Sequence, residues 1–218
     1  MMSRRYLLPV LFGIAALVAP VLVIGSVAAL SSDSVLTEFR QRAERNLDLM
    51  DGHARGAFAS QLSAMASIQD RIRGMDWVQI GQSEEIWRFL RTTTVGSVST
   101  GFALAGPDGR IISAARSTVF PSPRIDISTR DYVRAIWSGQ RGLAIGQVID
   151  ASLVGFTHFP MGVARLNDGG QPDGGIIVSG FSPDFFGEYY TRLLQNPAEE
   201  AVLMRGDGAV LACQPAAR

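Results

Sequence analysis

From Tyr6 to Leu30 the chain runs for about 25 residues without a charge. A run of that length can cross a bilayer with some tilt. Pro9 and Pro20 weaken a soluble helix but are tolerated in a membrane one. Arg4 and Arg5 precede the run and Asp33 follows it, which places residues 1–5 in the cytoplasm and the bulk of the chain outside. This topology predicts an inner-membrane, single-pass, periplasmic-facing protein anchored through residues 6–30. The competing reading is a signal peptide cleaved after Ser26-Val27-Ala28.

A long stalk helix is expected over Ser31–Met75. Apolar residues recur in steps of three and four at Leu36, Phe39, Ala43, Leu47, Met50, Ala54, Phe58, Leu62, Met65, Ile68 and Ile72. Such a stripe packs on its own domain further along and on a second copy near the membrane, as a homodimer; the alternative is a core helix of the domain with no dimer role. His53 beside it reads as a helix-surface residue. A second helix is predicted at Glu84–Arg91, capped by Ser83, with Thr92–Thr94 ending it.

From Val98 the pattern turns to strands. Gly101–Leu104 and Arg110–Ser113 flank Gly106-Pro107-Asp108-Gly109, a hairpin turn by composition. Gly142–Val148, Thr157–Leu166 and Gly175–Phe181 read as further strands, and Asn167–Gly174 as a flexible turn. Ser182 and Pro183 open another helix. A second hairpin lies around Arg205-Gly206-Asp207-Gly208. It either packs on the preceding domain or opens another. The fold class is α+β, with one antiparallel sheet of about five strands flanked by helices.

The 20 basic and 20 acidic residues balance, and no basic patch marks a nucleic-acid binder. The single cysteine, Cys213, allows no internal disulfide and no multi-cysteine metal site. No cofactor or metal is expected, and no motif of common catalytic sites is present.

The stretch Phe120–Trp137 concentrates the candidate chemistry. Pro121 and Pro123 stiffen a loop that cannot be a central strand. A short helix follows, with Ser128 or Thr129 as cap and Asp131 in its first turn. Asp126, Arg130, Tyr132 and Trp137 fall at this junction, beside predicted strands. One reading is a small-ligand pocket, with Arg130 meeting an anionic group, Tyr132 donating a hydrogen bond and Trp137 forming an apolar wall. The other is packing of the two aromatics, with Arg130 paired to Asp126.

The order of these parts resembles the extracytoplasmic Cache domains, also called PDC or PAS-like sensor domains, of bacterial histidine kinases, diguanylate cyclases and chemoreceptors. The residues that carry the likeness are the GPDGRI hairpin, Asp126-Ile127-Ser128-Thr129-Arg130-Asp131-Tyr132, the strand runs GLAIGQVID and GGIIVSGF, and the helix PDFFGEYYTRLL. The likeness implies a stalk region at 31–95, a sensor domain at 96–197 and the start of a second, incomplete module at 198–218. It also implies Arg130 and Tyr132 as ligand-facing residues and Trp137 on the pocket wall. Asp150 is then a candidate for holding an amine, and His158 for lining the pocket. Tyr132 is followed by Val133, where amino-acid-binding members carry a second aromatic residue. The function implied is small-molecule sensing in a membrane-anchored receptor, with a histidine kinase as output and no catalytic domain in this chain. Two other classes remain open. One is a protein-interaction module, the other an anchored hydrolase built on Ser128, His158 and Asp150.

Overall fold

The computed structural model describes residues 4–95, 99–151, 155–194, 196 and 198–215. In the first helix it describes side chains at Val18 and from Val35 onward. The chain divides into two compact units, Met1–Leu49 and Met50–Arg218. One helix, α1 (Arg4–Arg71), runs through both. The predicted span at 6–30 falls, apart from Val18, on side chains outside the described residues. Among the described residues, no helix is long and apolar enough to cross a membrane. In the first unit, Leu36 and Phe39 are exposed.

In the second unit the stripe is used. Met50, Ala54, Met65, Ile68 and Ile72 are buried, so the expected helical spacing does produce one packed face. Two short helices follow. The first is α2 (Trp77–Gln82), opened by a capping box in which Asp76 accepts from the Gln79 N–H and the Gln79 side chain accepts from the Asp76 N–H. The second is α3 (Glu84–Thr94), capped by Ser83 as expected. Thr92–Thr94 do not end α3. Their hydroxyls donate back to the carbonyls of Phe89 and Leu90, which keeps the polar groups satisfied within the helix.

The strands are β1 (Ala103–Ala105) and β2 (Ile111–Ala114), then β3 (Ala144–Ile145), β4 (Ile149–Ala151), β5 (Phe156–Leu166) and β6 (Pro172–Phe181), with α4 (Asp131–Trp137) between β2 and β3. They form one antiparallel sheet in the order β2-β1-β6-β5-β3, with β4 also on β5. The sheet has six strands rather than the five expected, because the run 142–148 does not stay in one ladder. Ala144 and Ile145 pair with Gly162 and Met161. The N–H of Gln147 is then drawn to the Asp131 carboxylate at 3.2 Å, and pairing resumes at Ile149 opposite His158. The turn 167–174 is shorter than expected, since β6 already begins at Pro172.

Side-chain alternation assigns the two faces of the sheet. Phe102, Leu104, Phe159, Met161, Ile177 and Phe181 join α1, α2, α3 and α5 (Pro183–Leu193) in one apolar cluster. Ala105, Ile111, Ile176 and Val178 join α4 in a second. His53 lies in an aromatic stack, 3.8 Å from the Tyr189 ring and 4.9 Å from Phe185. Burial, and then the charge of Arg192, hold its imidazole below the ordinary value. A second hairpin, β7 (Ala201–Met204) and β8 (Val210–Gln214), forms its own two-stranded sheet beside α5.

At the far end of β5, Arg165 is only 4 % exposed. It pairs with Asp173 at 2.6 Å, donates to the carbonyls of Ile72 and Met75 just past α1, and stacks on Trp77. Beside it the Gln69 side-chain amide donates to the Leu166 carbonyl and accepts from the Leu166 N–H. Trp77 in turn lies flat on Gly175, where an added methyl would overlap its ring. Gly175→Ala is therefore expected to cost about 1–3 kcal/mol by overpacking, read as a lower midpoint in denaturant unfolding. An unchanged midpoint would show that Trp77 is free to move aside.

Candidate functional site

The loop ahead of α4 covers the outer edge of β2. Ile111 donates to the Ile125 carbonyl, Ile127 to Gly109, and the Ala114 N–H to the Ser122 hydroxyl. The prolines prevent a regular strand, yet the edge of the sheet is still satisfied. Asp126 accepts from both the N–H and the hydroxyl of Ser128, at 2.9 and 2.6 Å. These bonds, with Arg110 nearby, hold its carboxyl below the usual value. Asp126 therefore braces the loop through Ser128, and the Arg130–Asp126 pair considered above does not form. The cap of α4 falls one or two residues later than the expected Thr129 or Ser128. Its N-cap is Arg130, with no side-chain cap bond.

Under this loop, on the α4 side of the sheet, is a cavity of about 160 Å³. That is below the roughly 300 Å³ at which drug-sized pockets begin, so it suits a compact metabolite. The structure brings four of the six sequence candidates to its wall: Arg130, Tyr132, Asp150 and His158. Arg116 and Thr100 line it too.

The chemistry of this wall is mixed. Tyr132 is 3 % exposed, and its hydroxyl makes no hydrogen bond among the described residues. Burial pushes the phenol well above its ordinary value, with Arg130 pulling the other way. Arg130 is exposed and has no ion pair among the described residues. Arg116 donates to the Thr100 carbonyl at 3.4 Å. Asp150 accepts from the Thr157 hydroxyl. The wall thus carries two guanidiniums against one carboxylate, a phenolic hydroxyl and an imidazole. Gly180 allows this crowding, since a side chain there would press on Thr100 Oγ1, the Phe159 carbonyl and the His158 ring.

Trp137 and Asp126 are not on the wall. Trp137 is 41 % exposed, and its Nε1 donates to the Gly174 carbonyl at 2.8 Å, tying α4 to the start of β6. Ser128 spends its hydroxyl on Asp126 outside the cavity that holds Asp150 and His158, so the hydrolase trio is not assembled. A larger groove of about 690 Å³ runs past Leu62, Met65, Ile136 and Val163, but no buried charged group converges on it. Arg116 and Thr100 escaped the sequence reading because neither sits in a motif. They reach the cavity only once β1 and β2 pair.

No protein-family model matches the chain, and no curated protein does. Solved structures do. The extracellular domain of rpHK1S-Z16, described as a histidine kinase, matches with a TM-score of 0.63 at 21% identity, over 76% of this chain and 68% of that one. An extracellular ligand-binding receptor from Desulfohalobium retbaense matches with a TM-score of 0.59 at 18% identity, over 73% of this chain and only 28% of that one. The ligand-binding domain of the Campylobacter jejuni chemoreceptor Tlp3, solved with 4-methylisoleucine, matches with a TM-score of 0.55 at 13% identity, over 77% of this chain and 66% of that one. At these identities the likeness is one of fold. The chain has the architecture of the extracellular sensor domains of histidine kinases and chemoreceptors.

Replacing Trp137 by Phe removes one exposed tie and touches no cavity wall. The expected result is a loss of about 1 kcal/mol in unfolding free energy with ligand affinity unchanged. A tenfold weaker affinity would return Trp137 to the binding site.

Proposed function

We propose that this chain is the extracytoplasmic small-molecule-sensing part of a membrane-anchored signal-transduction receptor, with a histidine kinase as its output and a diguanylate cyclase or chemoreceptor as the alternatives. The observation that carries the reading is the convergence of Arg130, Tyr132, Asp150 and His158 on one cavity wall. There Tyr132, only 3 % exposed, stands beside Arg130, which is exposed and has no ion pair among the described residues. With Arg116 and Arg130 against Asp150, the cavity favours a carboxylate, and a compact acid or amino acid fits its volume. Residues from 198 onward are read as the opening of a second module.

The test is a thermal-shift screen of carboxylates and amino acids on the parent and on Arg130→Ala. Losing a charge-assisted contact of about 1.5–3 kcal/mol should weaken binding roughly tenfold to a hundredfold. A ligand that stabilises both proteins equally would leave Arg130 without a binding role.

The same reading anchors the chain through residues 6–30 and pairs two copies along the exposed stripe at Leu36 and Phe39. With Cys213 replaced by Ser, a membrane-impermeant bis-maleimide added to intact cells should link Leu36→Cys or Phe39→Cys between chains, and Arg40→Cys far less. Absence of any reaction would put this segment inside the cell. Equal linking at all three positions would rule out a defined seam.

A further inference from the structure

The turn between β7 and β8 carries a guanidinium that reaches out of its own hairpin. Arg205 is held in shape from within: Nε and Nη2 donate to the two Asp207 oxygens at 2.9 and 2.7 Å, and Asp207 also accepts from the Ala209 N–H. Its remaining nitrogen, Nη1, donates to Asp131 Oδ2 at 2.7 Å and to the Ile145 carbonyl at 2.5 Å. Asp131 is committed on its other sides, accepting from the N–H groups of Tyr132 at 2.9 Å and Gln147 at 3.2 Å. One carboxylate therefore joins the start of α4, the link between β3 and β4, and the hairpin. The Arg205 side chain is 20% exposed and that of Asp131 38%, so the pair is better shielded than a free surface bridge. Asp131 stands in sequence between Arg130 and Tyr132, both on the cavity wall.

We propose that Arg205 is a positioning residue of the cavity: the β7–β8 hairpin, through Asp131, sets where α4 begins and so where Arg130 and Tyr132 stand. The proposal rests on the ligand-binding reading for its purpose but not for its test. A two-stranded hairpin is marginal alone; this one is held by Ala201, Leu211 and Ala212 in the main apolar cluster at its strands and by Arg205 at its turn. Docking of the hairpin and shape of the cavity then form one equilibrium, and whatever biases either biases both. A fork is required. A lysine ammonium is a single point and cannot grip both Asp207 oxygens while serving Asp131 and the Ile145 carbonyl.

The test is residue-resolved hydrogen exchange on the full chain, comparing parent, Arg205→Lys, Arg205→Ala, Asp131→Asn and the double variant Asp131→Asn/Arg205→Ala. Arg205→Ala should raise exchange at Tyr132 and Gln147 about tenfold or more, with Arg205→Lys close to it, while amides of the β1–β6 ladder keep the parent rate. Asp131→Asn should in turn raise exchange at Arg205 and Gly208 in the hairpin. The double variant should exchange at Gln147 no faster than either single one, because both act through one bond. A uniform rise across the sheet, an additive double variant, or no rise at Gln147 each overturns the proposal. As a second arm, L-valine and succinate serve as binding probes. If neither binds the parent, the sensing reading loses support while the exchange result still decides the role of Arg205.

Discussion

Arg165 is the contact on which the second unit depends. A guanidinium that is 4 % exposed has lost most of its hydration, and such a loss is tolerated when the charge is paired, as here, although the Arg165 Nε finds no hydrogen-bond partner among the described residues. Asp173 supplies the charge, two carbonyls beyond α1 supply acceptors, and the Trp77 ring covers one face of the group. Those partners come from β6, the end of α1 and α2. One side chain thereby fixes where the long helix stops relative to the sheet, by holding two carbonyls just past its end. The apolar packing of Ile68 and Ile72 supplies the adhesion, and Arg165 supplies the register.

The two faces of the sheet are built to different ends. On the α1 face, large side chains such as Phe102, Phe159, Phe181 and Phe186 are fully buried. On the α4 face, the strands present small residues, among them Ala103, Ala105 and Ala164, and one short helix spans them. A seven-residue helix cannot cover six strands, and the uncovered part is the cavity. Its polar wall follows from the same economy of cover, because the loop that closes it is spent on satisfying the β2 edge.

Much of this was legible in the sequence. The spacing from Met50 to Ile72 found the buried face of α1, Ser83 and Ser182 announced two helices, and Gly106-Pro107-Asp108-Gly109 gave the hairpin. These signals are local, set by side-chain period or by cap and turn chemistry. Of the four candidates on the cavity wall, Arg130 and Tyr132 were read from the loop and helix as one junction, while Asp150 and His158 came only through the family resemblance. What failed was non-local. Trp137 looked like a pocket wall, but its indole N–H found a carbonyl on β6. The Arg205–Asp131 bond spans 74 positions, and nothing in either segment announces the other. Even α2 had a signal, the Asp76 and Gln79 box, that six residues of helix made easy to pass over.

The Gln69 amide has a consequence for the margin of the sheet. Beyond Gly162 the outer side of β5 has no strand beside it among the described residues. At Leu166 a side chain, rather than a backbone, gives and takes the two hydrogen bonds that a neighbouring strand would make. A glutamine used in this way is a terminator. It satisfies the last rung of the ladder with a group that has no continuation, so an arriving chain finds no free donor or acceptor at that rung to copy.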